Sequence, residues 1–493
     1  MPGMFRGASG RAARLASVAL ALSAPRIGLA QPDREVQWWK GTFETQGVTI
    51  DFVVVFRPTA DAGGYTATID IPAQGAKDLA LTDVSLAAAE IRFALTPPNA
   101  PPSARAVFEL KRGADGTTAT GNLKQYGMTF PTRMEHITED EAKAVGPLRP
   151  QTPEPPFPYT QREVTYENPV DHTKLAGTLT VPVGAGPHPV VILITGSGAE
   201  DRDETIFGHK PFLVLADHLT RHGVAVLRVD DRGVGGSSGS TYDSTSKDFA
   251  NDVIAGIKFL QKQPEIDGRR IGLVGHSEGG LIAPLVASKS KDVACIVLLA
   301  GPGLPGARIL NMQLEALLRA GGMPANKIEP QSRAQRALIE CIVSDADAQA
   351  VRQAARNLLE SEAAAAGKSA ELADKLESAA DGVAKGVGTP WMRSFLKLDP
   401  REVLPKVKCP VLALAGALDL QVPPKENLAE IEQALKAGGN TNVTAKELPG
   451  LNHLFQEAQT GLPDEYVTIA QTIAPAALDE ITAWLRARFK LEP

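Results

Sequence analysis

The sequence predicts a doubly wound, mostly parallel α/β sheet that carries a helical insertion and follows a small antiparallel β domain. After about residue 160, short apolar runs alternate with amphipathic helical patterns, and a stretch rich in Ala, Leu, Glu and Lys interrupts this rhythm from 304 to 404. Before residue 140, short runs of β-branched residues follow one another. Strands that alternate with helices indicate βαβ units, and a chain of 493 residues is too long for one small core.

The first 30 residues are typical of a secretory signal peptide. Three arginines between residues 6 and 14 precede an apolar stretch, 15–23, that is too short to span a bilayer, and small residues at 28–30 offer a cleavage site. Arg26 argues against cleavage at that site, and a buried terminal helix is the alternative. We therefore expect a periplasmic or secreted protein without stable membrane insertion once this segment is removed.

The charge of the chain disfavours several classes of partner, and its cysteine count disfavours a disulfide framework. The formal net charge is −6, and residues 1–30 hold four arginines and no acidic residue, so their removal makes the charge −10. No run of Lys and Arg is present, which disfavours a nucleic acid or an anionic membrane as partner. Three cysteines, Cys295, Cys341 and Cys409, are an odd number and predict free thiols rather than a disulfide framework.

Residues 31–140 are predicted to form the β domain. Its expected strands are separated by turn signals such as Gly63-Gly64 and the Gly113–Gly116 segment, and cover residues 48–56, 65–71, 90–95, 106–111 and 117–123. Regular short strands favour an antiparallel sheet or barrel. The segment has no obvious catalytic group, so we expect a stabilising or substrate-presenting module. Residues 141–160 contain six prolines and are predicted to be an extended linker.

The catalytic domain is predicted to consist of residues 161–303 and 405–493. Its expected strands are mostly apolar, as in a sheet covered on both faces, and cover residues 189–195, 225–229, 271–274, 294–299, 410–415 and 443–448. Helical patterns between them cover residues 210–222, 248–263 and 280–287. Residues 304–404 are predicted to be a helical cap over the carboxyl edge of the sheet, with a low-complexity linker as the alternative for 360–388.

The motif Gly275-His276-Ser277-Glu278-Gly279 matches the nucleophile elbow G-x-S-x-G. A predicted strand precedes it and a predicted helix follows it, which is the structural context that this motif requires. The glycines permit a close turn, and the turn presents a serine hydroxyl above the sheet. The sequence therefore predicts Ser277 as a nucleophile, against the alternative of a structural serine in a turn.

A serine hydroxyl needs a base, and the downstream sequence offers one candidate. Of eight histidines, only His453 follows Ser277, and it lies in a loop after a predicted strand. Where a nucleophile elbow of this kind follows a strand and precedes a helix, the acidic residue that orients the histidine comes before that histidine in the chain. Asp419 directly follows the strand-like run 410–415, whereas Glu426 and Glu430 lie in a helical pattern and rank below it. The alternatives are a solvated loop histidine and a helix-capping aspartate.

An oxyanion hole needs backbone donors next to the nucleophile. We predict the amide of Glu278, which follows Ser277, and the amide of Ser197 in the glycine-rich loop after the first strong strand, with Gly198 as an alternative. This loop lacks the lysine of a phosphate-binding P-loop. No metal-binding motif is present, so we do not expect a bound metal.

From about residue 160 onward the chain resembles bacterial serine esterases of the α/β-hydrolase family, the carboxylesterase subgroup with an N-terminal β domain and a helical cap. The resemblance rests on three blocks, 196–204 (GSGAEDRDE), 229–235 (VDDRGVG) and 275–280 (GHSEGG), together with Asp419 and His453. It implies hydrolysis of short-chain acyl esters, with a small-molecule ester as partner and no cofactor.

Two questions stay open at the level of sequence. Glu200, Asp201, Arg202 and Asp203, together with the charged residues 230–232, either brace the turns that follow their strands or form a solvated acidic loop. The function that we expect is that of a serine carboxylesterase, with a peptidase or acyltransferase of the same fold and a non-catalytic binding protein as alternatives.

Overall fold

The computed structural model describes residues 35–45, 48–59, 64–72, 76–96, 105–125, 128–143, 145, 149–367, 369, 373 and 375–492. The predicted signal peptide (1–30), Gly63 of the first turn signal and Pro147 of the linker lie outside the described residues. None of the helices in the described part of the chain is long and apolar enough to cross a membrane.

The described residues of the N-terminal segment form nine antiparallel strands. They are β1 (Gln37–Thr45), β2 (Val48–Pro58), β3 (Tyr65–Ile71), β4 (Ala76–Ala80), β5 (Thr82–Leu86), β6 (Glu90–Leu95), β7 (Ala106–Arg112), β8 (Thr118–Gln125) and β9 (Met128–Ile137), followed by the short helix α1 (Glu139–Lys143). Their order in the sheet is β4-β3-β2-β1-β9-β8-β7-β6-β5. All five strands predicted here are present.

This sheet closes on itself. The strands at the two ends of the sheet order, β4 and β5, are consecutive in the chain, with only Leu81 between them. The amide of Leu81 donates to the carbonyl of Ala67 in β3 at 2.9 Å. Side chains that point inward fill the interior, among them the fully buried Phe52, Phe93 and Phe108. The segment is therefore an antiparallel barrel with a packed aromatic core, in agreement with the prediction.

The second sheet has eight strands. They are β10 (Tyr159–Glu167), β11 (Lys174–Pro182), β12 (His188–Ile194), β13 (Ala225–Val229), β14 (Ile266–His276), β15 (Val293–Leu299), β16 (Val411–Gly416) and β17 (Val443–Leu448). The order is β10-β11-β13-β12-β14-β15-β16-β17, and all pairs from β13 onward are parallel. The sequence predicted six of these strands. It missed β10 and β11, which pair antiparallel at one edge and mix polar with apolar residues.

Helices cover both faces of this sheet, as the mostly apolar strands predict. The core on one face includes side chains of α3 (Ser246–Leu260), α4 (Gly279–Lys289) and α10 (Pro424–Ala437). The core on the other face includes side chains of α2 (Pro211–Arg221) and α12 (Pro475–Phe489), while the short α11 (Glu465–Thr468) precedes α12. The arrangement is the doubly wound α/β layer structure that the sequence predicts.

In the described part of the segment between β15 and β16, where the cap is predicted, the chain forms five α-helices. They are α5 (Gly306–Ala320), α6 (Ala325–Val343), α7 (Ala348–Ala366), α8 (Leu376–Val387) and α9 (Pro390–Lys397). Apolar side chains of α6 and α7 form a core of their own, to which Leu281 of α4 also contributes. The alternative of a linker over 360–388 is not what the structure shows, because α7 and α8 occupy most of the described part of that range.

The predicted linker is bound to the α/β domain before the predicted domain start at 161. The Arg149 guanidinium donates to the carbonyls of Ile469 and Phe207 at 2.8 and 2.7 Å, and the Gln151 amide donates to the carbonyl of Ile473 at 2.8 Å. Strand β10 itself begins at Tyr159. The interpretation of residues 141–160 as a spacer is therefore too simple, because part of it packs onto the domain that follows.

Candidate active site

Ser277 lies in a sharp turn between β14 and α4. Its φ is 51°, a left-handed conformation that costs a residue with a side chain of the order of 1 kcal/mol or more. Both glycines of the motif are required by close contacts. A Cβ on Gly275 would lie 2.0 Å from the carbonyl oxygen of Gly279, and one on Gly279 would lie 2.2 Å from that of Ile194. The turn therefore holds the serine in a strained conformation at the carboxyl edge of the sheet.

His453 and Asp419 form a buried pair. His453 Nδ1 lies 2.8 Å from Asp419 Oδ2, and both side chains are almost fully buried. The other carboxylate oxygen, Oδ1, accepts from the amides of Gln421 and Val422 at 2.9 and 2.8 Å. A carboxylate in this position accepts the Nδ1 proton, so the lone pair of the imidazole is at Nε2. Glu426 lies on α10, in agreement with its lower rank as the acid.

The predicted nucleophile and base belong to adjacent turns. His276, the residue before Ser277, has its ring 4.9 Å from that of His453, centroid to centroid. Ser277 also lines a cavity of about 170 Å³ between the sheet edge and the cap, together with Ser197, Pro302, Ile309, Leu310, Gln313, Trp391, Met392, Phe395, Gln421 and Val422. Seven of these eleven lining residues are apolar and four are polar but uncharged, and the serine lies in the cavity wall.

The two amides predicted as oxyanion donors lie beside this cavity. Ser197 lines it with Ser277, and a Cβ on the neighbouring Gly196 would lie 3.4 Å from the Cβ of Ser277. The amides of Ser197 and Glu278 have no hydrogen-bond acceptor among the described residues. Two backbone donors near the serine are therefore available to a ligand.

The charged blocks that the sequence left open brace the loops around the site. Arg202 forms a two-pronged pair with Asp230, with N···O distances of 2.9 and 2.7 Å. The Asp231 carboxylate accepts from the hydroxyl of Thr195 at 2.7 Å and from the amide of Glu200 at 3.0 Å. These contacts join the loop after β12 to the loop after β13, so the bracing interpretation is the one that the structure shows.

The sequence analysis assigns no role to Glu204 or to His276, and the structure brings the two side chains together behind the nucleophile turn. The Glu204 side chain lies 2.9 Å from His276 Nδ1 and accepts from the Gly196 amide at 2.9 Å. His276 Nε2 lies 3.0 Å from the carbonyl oxygen of His453. No local pattern signals these contacts, because the partners are up to 177 residues apart.

The Glu278 carboxyl connects the nucleophile turn to the cap. It accepts from the Trp391 indole at 2.9 Å and from the Ser246 hydroxyl at 2.8 Å, and it is almost fully buried. Burial raises its pKa to about 7, although the two hydrogen bonds act in the opposite direction. Burial likewise raises the pKa of Asp231 to about 7 and that of Glu200 well above its ordinary range.

We expect the free energy of unfolding of the wild type to fall as the pH rises from 5 to 8, and this fall to be smaller in Glu278→Gln. The folded pKa of Glu278 is raised to about 7 from an ordinary value of 4.5, so the folded state binds more protons between those pH values and loses stability as the pH rises through them. Glutamine can keep the contacts with Trp391 and Ser246 without titrating. The pH-dependent change in the free energy of unfolding should shrink by roughly 2 kcal/mol.

Urea denaturation at a series of pH values measures this effect. Asp231 keeps its own titration in the variant, so the slope should become smaller without vanishing. A pH dependence identical to that of the wild type would show that Glu278 stays ionised in the folded protein.

Among the residues that the structure describes, no group of three or more His, Cys, Asp or Glu side chains is arranged to hold a metal ion. The three cysteines are free, as predicted.

The sheet order and the turn after β14 define the class of protein. A mostly parallel eight-stranded sheet, a serine at a strained strand-to-helix turn, and an Asp–His pair after the last two strands are the features of an α/β hydrolase. The family described as "Serine aminopeptidase, S33" matches residues 210–458, half of the chain, and the chain belongs to this family of hydrolases. The predicted resemblance to α/β hydrolases is thereby confirmed, and the protein is an enzyme.

Two relatives are similar to this chain at the level of sequence. Esterase EstD of Thermotoga maritima is 25% identical over 328 residues, which cover 66% of this chain and 69% of that protein. Esterase FrsA of Vibrio vulnificus is 31% identical over 134 residues, which cover 27% of this chain and 30% of that protein. Both relatives are named as esterases, in agreement with the subgroup that the sequence blocks resemble.

Solved structures show partial similarity. An esterase of Pyrococcus furiosus has a TM-score of 0.40 and 20% identity, and the match covers 70% of this chain and 97% of that one. The α/β hydrolase GrgF of Penicillium has a TM-score of 0.42 and 16% identity, and the match covers 67% of this chain and all of that one.

Proposed function

We propose that this protein is a serine carboxylesterase that hydrolyses esters of short acyl chains through an acyl-serine intermediate. The observation that carries the proposal is the buried pair of His453 and Asp419, with Nδ1 and Oδ2 2.8 Å apart, together with a strained serine in the wall of a cavity whose lining is uncharged. This pair orients an imidazole whose free nitrogen can take a proton from Ser277.

The reaction takes place in two steps. The Ser277 hydroxyl attacks the ester carbonyl while His453 Nε2 takes its proton, and the carbonyl oxygen becomes an oxyanion that accepts from the amides of Ser197 and Glu278. The tetrahedral intermediate collapses, and His453 returns the proton to the alcohol that leaves. Water then attacks the acyl-serine with the same base, which releases the acid and restores the serine. Asp419 stays ionised and stabilises the imidazolium in both steps.

The size of the cavity favours short acyl chains. Its volume is about 170 Å³, and an apolar protein cavity of about 150 Å³ accommodates benzene. The walls beside Ser277 include Ile309, Phe395 and Met392, which exclude water from an acyl group. A group of about six carbons therefore fills the space, and longer chains require the cap to move.

Ester hydrolysis fits the cavity better than the removal of an amino-terminal residue from a peptide. An aminopeptidase binds a free ammonium group next to the bond that it cleaves, and burial of that charge requires an anionic or strongly polar partner. Of the described residues that line this cavity, none carries a carboxylate; its polar side chains, apart from serines and the Trp391 indole, are Gln313 and Gln421. The lining therefore suits an uncharged acyl group.

Covalent labelling combined with a substrate panel tests this proposal. A fluorophosphonate probe should modify Ser277, identified by mass spectrometry of peptides, because the probe reports an activated serine. Among p-nitrophenyl esters, kcat/KM should be highest at acyl chains of about four to six carbons and fall for longer ones. Amino-acid p-nitroanilides serve as the comparison. A protein that is not labelled, or that cleaves the anilides faster than the esters, would contradict the proposal.

A further inference from the structure

Glu204 and His276 form a buried pair behind the nucleophile turn. Their side chains are 4% and 9% exposed, and Glu204 Oε1 lies 2.9 Å from His276 Nδ1. The same oxygen accepts from the Gly196 amide at 2.9 Å, and His276 Nε2 lies 3.0 Å from the carbonyl oxygen of His453. One pair of side chains thus contacts three segments: the loop that holds Ser197, the turn that holds Ser277, and the loop that holds the base.

The hydrogen bonds define where the protons lie. A carbonyl oxygen can only accept, so His276 Nε2 carries a proton that it donates to the carbonyl of His453. Glu204 Oε1 accepts a hydrogen bond from the Gly196 amide, and as a carboxylate oxygen it also accepts one from His276 Nδ1–H. Both ring nitrogens then donate, and the ring is an imidazolium paired with a carboxylate. Burial, the largest single effect, lowers the pKa of His276, but the charge and hydrogen bond of Glu204, the hydrogen bond to the carbonyl of His453 and the charge of Asp419 together make the net shift upward.

The loop that carries Glu204 is built to direct its side chain inward. Glu204 has a φ of 53°, a conformation that residues with side chains rarely adopt, and its amide donates to the carbonyl of Asp201 at 2.9 Å. The Asp201 carboxylate in turn accepts from the amides of Asp203 and Thr205, each at 3.0 Å. The acidic block of the sequence therefore forms a tight turn that presents one carboxylate to the site.

We propose that Glu204 and His276 are positioning residues, which hold the oxyanion loop and the His453 backbone in register with Ser277. The inference rests on the proposed function, because it assigns these contacts a role in the same reaction. Loss of the pair should leave the substrate cavity in place, since neither side chain lines it. Displacement of a reacting group by about 1 Å can lower the rate of catalysis about 10²-fold.

Glu204→Gln disrupts the pair with almost no change of shape. If the amide oxygen of Gln lies at the position of Oε1, it can accept from Gly196, but it no longer offers a negative charge to keep both nitrogens of His276 protonated. If the amide nitrogen lies there, it meets the Gly196 N–H, and two donors face each other. In either orientation, one of the three contacts with Gly196, His276 and His453 is lost.

The test compares kcat, KM and the rate of fluorophosphonate labelling for wild type, Glu204→Gln and His276→Gln. Each rate is normalised to the folded fraction, which near-ultraviolet circular dichroism measures. We expect kcat and the labelling rate of Glu204→Gln to fall about 10- to 100-fold, with KM within about 3-fold of wild type. If Glu204→Gln does not fold, His276→Gln gives the same comparison. Glutamine is uncharged and lacks the two ring N–H groups with which His276 donates to Glu204 and to the carbonyl of His453.

Asp267→Asn provides the matched control. Asp267 is also a largely buried carboxylate in an ion pair, here with Arg270 at 2.8 Å, but it lies at the start of β14, about 30 Å of strand away from Ser277. Its substitution should lower stability and leave kcat within about 2-fold of wild type.

Two outcomes would overturn the inference. The first is a Glu204→Gln variant whose normalised kcat stays within about 2-fold of wild type, and the second is a loss of kcat that Asp267→Asn reproduces. The same assay includes Ser277→Ala. If Ser277→Ala is inactive while Glu204→Gln is normal, only the positioning role fails. If Ser277→Ala keeps its activity, the proposed function fails and the inference fails with it.

Discussion

Replacement of Ser277 by alanine is expected to lower kcat toward p-nitrophenyl esters on the order of 10⁶-fold, and replacement of His453 by alanine by about the same amount. Alanine keeps the Cβ of Ser277, so the strained turn with φ 51° stays as it is and only the attacking oxygen is lost. In His453→Ala the oxygen remains but has no base to take its proton. Each variant therefore abolishes the same step by a different route.

The double variant gives the sharper measurement. Residues that act as a unit are not additive, so Ser277→Ala/His453→Ala should be no slower than either single variant. A residual rate above that of water is expected in all three, because the amides of Ser197 and Glu278 remain. Losses that multiply in the double variant would show that the serine and the histidine act in separate steps, and full activity of Ser277→Ala would reject the acyl-serine mechanism.

Much of the fold could be predicted because its strands are buried on both faces. The runs at β12, β15 and β16 are continuous apolar segments, and their pattern does not depend on any neighbour. β10 was missed for the opposite reason, whereas β11 is buried along most of its length but mixes apolar residues with threonines and a glycine. The exposed side chains of β10 at the sheet edge are polar, and Gly177 in β11 is required by the carbonyl of Arg228, 2.3 Å from where its Cβ would be.

The site could be predicted as far as order along the chain determines it. A single histidine after Ser277 left one candidate for the base, and the strand end at 416 pointed to Asp419 as its partner. The contacts of Glu204 with His276 and of Trp391 with Glu278 could not be predicted in this way. The second of these joins residues 113 positions apart, from the cap to the turn after β14, and only the three-dimensional packing of the cap brings them together.

Asp419→Asn is expected to lower kcat about 10⁴-fold while the protein stays folded. In the wild type, Oδ1 of Asp419 accepts from the amides of Gln421 and Val422, and Oδ2 accepts from His453. An asparagine must place its oxygen toward the two amides, because its NH₂ group there would face two donors. The NH₂ group then points at Nδ1 of His453 and donates to it. The imidazole is forced into the tautomer that carries its proton on Nε2, and this tautomer cannot take the proton of Ser277.

The fall in kcat of Asp419→Asn should therefore result from the changed tautomer of His453 and not from a change in the structure of the site. Nitrogen-15 NMR of the imidazole should show the proton on Nδ1 in the wild type and on Nε2 in Asp419→Asn. Glu426→Gln is the matched control, because Glu426 is an exposed carboxylate on the helix that begins five residues after Asp419. It should leave kcat unchanged. The two backbone amides allow the asparagine side chain only the orientation in which its oxygen faces them. An Asp419→Asn variant with the wild-type tautomer and wild-type activity would therefore mean that another group orients His453.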